Sequence, residues 1–153
     1  MLRFRRSEAY WWRRPLVRVR RRSMPVELAV LALELRSNER GSWLNLRPRA
    51  SGIVELVPTR TRRGSSFRTR REPLPLFVVA ALEDIYRRAR LRKGCPELVI
   101  WRTDREDFRL VALKLRGEQR RGPTSWGPER QRFMETAYQC GVSTKTVVWQ
   151  YDR

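Results

Sequence analysis

Gly94-Cys95-Pro96-Glu97-Leu98-Val99-Ile100-Trp101, followed after a charged turn by Phe108-Arg109-Leu110-Val111-Ala112-Leu113-Lys114, is the stretch that decides the fold. Each apolar run is too short for a helix, rich in β-branched and aromatic residues, and bounded by Gly, Pro or charged turn positions. The spacing predicts strands over 97–102 and 108–115, joined by a turn at 103–107. Both runs are nearly continuous in apolar residues rather than strictly alternating. That pattern implies burial on both faces, hence a central place in a sheet flanked by helices.

The flanks supply those helices. Pro73 and Pro75 open a segment in which Val79, Leu82, Ile85, Tyr86 and Ala89 recur at helical spacing to Arg92. Its last turn is packed with cations, which suits a helix C-terminus, and Gly94 stops it. Downstream, a polar loop over 116–127 leads to Gly127-Pro128. There a second helix starts, with Phe133, Met134, Ala137 and Cys140 on its apolar side and Gly141 as its cap. Thr144 to Tyr151, rich in Val and Thr, reads as a final strand. The order helix, strand, strand, helix, strand defines an α/β domain over 73–153 with a small mixed sheet.

The first half reads differently. Residues 1–24 form a basic arm whose only acid is Glu8, with Tyr10, Trp11 and Trp12 set among arginines. Residues 25–58 read as an antiparallel β meander. Val26 to Leu35 fits strand or helix, and the late alternation Ala32-Leu33-Glu34-Leu35 favours strand. A turn at 37–41 then precedes strands at Trp43–Arg47 and Ile53–Val57. Residues 59–72 are an Arg/Ser/Thr-rich linker from which no core can form.

Charge constrains the partner. The 153 residues carry a net charge of +19, and all but Lys93, Lys114 and Lys145 of the 35 basic residues are arginine. A charge this large repels itself in a compact chain unless a polyanion neutralises it. Arginine offers phosphate a planar fork and stacks on bases. DNA or RNA is therefore the expected partner, within a larger complex of other proteins. The expected contacts are Arg13, Arg14, Arg18, Arg20, Arg21, Arg22, Arg62, Arg63, Arg68, Arg70 and Arg71, with Trp11 and Trp12 either stacking bases or docking the arm on the core.

Other classes fall away. There is no histidine, which excludes His-containing zinc sites, Ser-His-Asp triads and Cys-His pairs. Cys95 and Cys140 are too few for a zinc ribbon and read as reduced thiols of an intracellular protein. The longest apolar run, Leu76 to Leu82, falls well short of the roughly 20 residues a membrane span needs.

Taken together, Gly94-Cys95-Pro96-Glu97, Trp101, Val111-Ala112-Leu113-Lys114, Gln131 and Gly141 resemble the VRR-NUC branch of the PD-(D/E)XK nuclease superfamily over residues 76–151. The resemblance implies a restriction-endonuclease-like fold and a site in which carboxylates hold Mg²⁺ while a lysine steadies the attacking water. Carried onto this chain, the catalytic positions are Glu97, Lys114 and an acid of the preceding helix, Glu83 or Asp84. The branch places a second metal-binding carboxylate where this chain has Ala112. Without it no metal and no cofactor are expected, Glu97 being the ligand if there is one. The expected function is a non-catalytic nucleic-acid-binding protein on a degenerate nuclease-like fold. Two alternatives stand beside it: an active Mg²⁺-dependent nuclease whose missing ligand comes from elsewhere, such as Glu118, and a structural subunit of a ribonucleoprotein of the organellar-ribosome type.

Overall fold

A computed structural model describes residues 1–11, 14–44, 52–55, 68–70, 72–117 and 127–152; at 8–11, 14–15, 52–55 and 68–69 it describes the backbone alone. In chain order the elements are β1 (Leu2–Trp11), β2 (Arg14–Val19), β3 (Arg22–Met24), α1 (Val26–Glu34), β4 (Glu39–Trp43), β5 (Gly52–Glu55), β6 (Arg68–Arg70), α2 (Leu76–Ala89), β7 (Leu98–Arg102), β8 (Phe108–Leu115), α3 (Pro128–Gln139) and β9 (Ser143–Tyr151). The strands form one mixed sheet in the order β3-β2-β1-β9-β8-β7-β4-β5-β6. β9 runs parallel to both its neighbours, β1 and β8, and the other pairs are antiparallel.

The β7–β8 hairpin lies at the middle of this sheet, with helices on both faces. Alternation along the strands sorts their side chains into two cores. Leu98, Ile100, Val111 and Leu113 join α1 on one face, with Phe4, Val17, Trp43, Val147 and Trp149. Val99, Trp101 and Leu110 join α2 and α3 on the other, with Val78, Ile85, Phe133 and Ala137. This is why the hairpin reads as continuously apolar. Trp101 and Phe133 are core residues, as their spacing predicts.

α2 and α3 start where the sequence signals place them, but α2 ends at Ala89, short of the expected Arg92. The Pro75 carbonyl accepts from the N–H groups of Val78 and Val79 at 3.0 and 3.1 Å, and Gly127 does the same for Arg130 and Gln131 at 3.1 and 3.2 Å. α2 closes on Arg90 in the left-handed conformation (φ 55°), and Leu91 N–H returns to the Tyr86 carbonyl at 3.0 Å.

The first half departs from its expected reading in three places. Val26–Glu34 is a helix, not a strand. Val26 to Leu31 are all buried, and the alternating residues that suggested a strand, Ala32 and Leu33, lie at its exposed end. Pro25 opens it, and Leu, Ala and Glu are strong helix formers. The meander is thereby broken, and β4 begins at Glu39, within the expected turn; the expected strand at Trp43–Arg47 lies mostly outside the described residues. The basic arm is sheet: β1 pairs with β2 and β9, because Leu2-Arg3-Phe4-Arg5 alternates and buries Phe4. Within the linker, Arg68–Arg70 pairs with β5 as β6; residues 59–67 and 71 are outside the description.

Candidate functional site

Two regions hold the residues singled out by sequence. The first lies where β7 begins. Gly94 (φ +119°) lets the chain pass against the first turn of α3: a Cβ there would sit 2.7 Å from the Glu129 carbonyl oxygen. The chain then reaches Glu97, whose carbonyl accepts from Leu44 N–H at 2.8 Å. The Glu97 side chain is 3% exposed. One carboxylate oxygen accepts the Leu113 N–H at 2.9 Å, and the other pairs with the guanidinium of Arg130 on α3. Arg130 is itself buried because it falls on the stripe 130, 133, 134, 137 that α3 turns inward.

Half-buried Cys95 and Tyr86 stand beside this pair. Burial pushes the Cys95 thiol up to about 12, against the opposing pull of Arg130, and pushes the Tyr86 hydroxyl beside it up to about 12. The Tyr86 and Phe133 rings meet edge to face with centroids 4.8 Å apart. Cys95 and Cys140 are both free thiols.

Among the described residues the other expected members of a metal site form no metal-binding group with Glu97. Ala112 is fully buried on the α2/α3 side of β8, and Lys114, two residues on, is exposed. Glu83 is exposed on α2, off the buried stripe Val78, Leu82, Ile85 and Ala89. Asp84 is bound by Arg87 and, at 2.7 Å, by Arg88; the hydrogen bond from Arg87 holds its carboxyl below the usual carboxylate range. Gln131 donates to Glu135 on its own helix at 3.0 Å. Among the described residues no three His, Cys, Asp or Glu side chains gather into a metal-binding group; Glu118 lies outside them. A hard divalent cation needs several oxygen ligands. Here a single carboxylate is offered, both its oxygens are committed, and a guanidinium already stands beside it. These residues do not fit a divalent metal.

The second region is the part of the α2/α3 side of the sheet that the helices leave exposed. In β1, Leu2 and Phe4 turn toward α1, so Arg3 and Arg5 face the other way and are exposed. In β8 and just beyond it the same alternation turns Lys114 and Arg116 to that side, and in β9 it turns Gln150 there. Register lines them up. Arg3 pairs with Gln150, Leu115 with Trp149, and Arg5 with Arg18 of β2, which is also exposed. Arg116 reaches Gln150 at 3.4 Å. An open cleft of about 960 Å³ runs over Arg3, Arg5, Arg116, Gln150 and Tyr151, with Asp152 at its end. Arg3, Arg5, Arg18, Lys114 and Arg116 make no ion pair among the described residues, while Arg70, Arg88, Arg102, Arg105 and Lys145 elsewhere all do.

The expected nucleic-acid contacts are scattered relative to this face. Arg18 belongs to it. Arg20, in the left-handed conformation (φ 54°), and Arg21 form the exposed β2–β3 turn, and Arg22 is half-buried in β3. Arg70 is held by Glu72 at 3.0 Å. Trp11 and Arg14 face each other across the β1–β2 ladder, and Arg68 lies in β6, with their side chains undescribed. Trp12, Arg13, Arg62, Arg63 and Arg71 fall outside the described residues. Sequence reasoning missed Arg3, Arg5 and Arg116 on the face and Arg130 at Glu97. The alternation Leu2-Arg3-Phe4-Arg5 and the helical spacing of Arg130 from Phe133, Met134 and Ala137 were the signals for them.

Comparison with protein-family models, with curated proteins and with solved structures finds no match. The likeness to the VRR-NUC branch therefore rests on the quoted residues alone. No helix among the described residues is long and apolar enough to cross a membrane.

Proposed function

We propose that the protein is a non-catalytic nucleic-acid-binding protein that grips phosphate with an open sheet face and works inside the cell as part of a nucleoprotein assembly. The observation that carries this reading is the set of exposed cations Arg3, Arg5, Arg18, Lys114 and Arg116 on one side of four adjacent strands, none neutralised by an ion pair among the described residues. Like charges set opposite each other across a ladder, as in Arg5 and Arg18, destabilise a sheet. A polyanion laid over the face converts that repulsion into binding and releases its own condensed counterions. The reading needs no metal, and the commitment of Glu97 to Arg130 and Leu113 supports the non-catalytic part of it.

The test is the salt dependence of binding to DNA and RNA. Affinity should fall steeply on a log–log plot, and replacing Arg3, Arg5 and Arg116 together by Gln should flatten the slope by about 2 to 3, since each phosphate contact contributes roughly 0.7–0.9. An affinity indifferent to salt, or a slope unchanged by the triple substitution, overturns the reading. Cleavage in Mg²⁺ or Mn²⁺ that Glu97→Gln abolishes overturns its non-catalytic half and favours the nuclease alternative.

A further inference from the structure

We infer that the open face is built for a double helix rather than a single strand; this deepens the nucleic-acid reading above and rests on it. The cations fall into two rows with a neutral strand between them. Lys114 and Arg116 make one row along β8 and just past it. Arg3 and Arg5 make the other along β1, with Arg18 of β2 beside Arg5 at its outer edge. β9 separates them and presents Val148 and Gln150 to the same side. Two strand spacings put the rows about 10 Å apart, backbone to backbone. Long, exposed Lys and Arg side chains adjust that span by several ångströms. It falls between the widths of the two grooves of a B-form duplex, about 6 and 12 Å. One row then takes the phosphates on one side of a groove, the other row takes those on the far side, and Gln150 faces the groove floor. A single strand carries one line of phosphates and leaves the second row unpaired.

The aromatic residues point the same way. Single-strand platforms interleave cations with rings on which bases stack. Here the buried rings described in β1 and β9, those of Phe4 and Trp149, are turned to the opposite side. Phe4 and Trp149 are buried against α1, their ring centroids 6.4 Å apart; Tyr151 packs edge-on against Trp149 at 5.2 Å and carries the guanidinium of Arg6 5.7 Å from its ring centre.

The experiment measures binding of the full chain to a DNA duplex, an RNA duplex, and single strands of each with the same number of phosphates, at one salt concentration. At least one duplex should bind about tenfold or more tightly than its single strand, a difference of about 1.4 kcal/mol. The tighter duplex identifies the helical form. Arg3→Gln with Arg5→Gln, and separately Lys114→Gln with Arg116→Gln, should each erase most of that preference, because either leaves one row. All are exposed positions, and far-UV circular dichroism checks the fold. Single strands binding as tightly as duplexes, or a preference that survives both double substitutions, overturn the inference while leaving the nucleic-acid reading intact. Failure of every nucleic acid to bind overturns both.

Discussion

Arg130 and Glu97 show how a buried charge is made tolerable. Each is nearly withdrawn from water, at 9% and 3% side-chain exposure, and each answers the other's charge while Leu113 N–H takes the remaining carboxylate oxygen. Removing one partner strands the other, which costs about 3–5 kcal/mol, whereas replacing both with apolar residues of similar volume is often neutral. Arg130→Met should therefore destabilise by about 3–5 kcal/mol in urea unfolding, and Glu97→Leu combined with Arg130→Met should recover most of it. A double variant as unstable as the single one would show that the pair contributes through packing around it, not through mutual neutralisation.

At the scale of elements, the lock between α1 and the sheet is ionic at its rim. Arg109 of β8 reaches both the Glu34 carbonyl at 2.9 Å, at the end of α1, and the Glu39 carboxylate at the start of β4, while Lys145 of β9 holds Glu34 at 2.7 Å. The hydrogen bond from Arg109 holds the Glu39 carboxyl below its ordinary value of 4.5 despite the opposing effect of burial. A carboxylate with a lowered folded-state pKa stabilises the fold fully above that ordinary value and loses the contribution as pH falls through the folded one. Stability should therefore decline below about pH 4.5, and Glu39→Gln should show a shallower decline in unfolding free energy over that acid range. Identical acid profiles would remove Glu39 from the account. The elements themselves were unequally legible. The hairpin, α2, α3 and β9 announced themselves, because their patterns matched burial on two faces or one helical stripe. α1 did not, since a short run apolar on nearly every side has no period to read. β1 to β3 were hidden by charge: an arginine on the outward half of a two-faced strand looks like an arm until the alternating Leu2 and Phe4 are weighed. The Glu97–Arg130 contact joins residues 33 apart in sequence, and only the helical spacing of Arg130 hinted at it.

For the whole molecule the net charge is +19; among the described residues Arg87 and Arg88 of α2 and Arg102 and Arg105 beside β7 are tied to acids, and Arg3, Arg5, Arg18 and Arg116 over β1, β2 and β8 are not. The position of β9 has a consequence in time. Among the described residues it is the last element in chain order, yet it sits between β1 and β8 and is the only strand joining them. Leu2 finds its partner in Trp149, at nearly the full length of the chain. While the ribosome is still adding residues 143–151, β1 and β8 each have an open edge, and the two halves of the sheet have no shared ladder. Long-range pairing of this kind is slow, and open edges invite wrong partners. Nascent chains stalled before Ser143 should be digested readily by protease, and chains carried past Tyr151 on a linker long enough to clear the exit tunnel should resist. Resistance at the shorter length would mean that the two halves hold together without the strand that joins them.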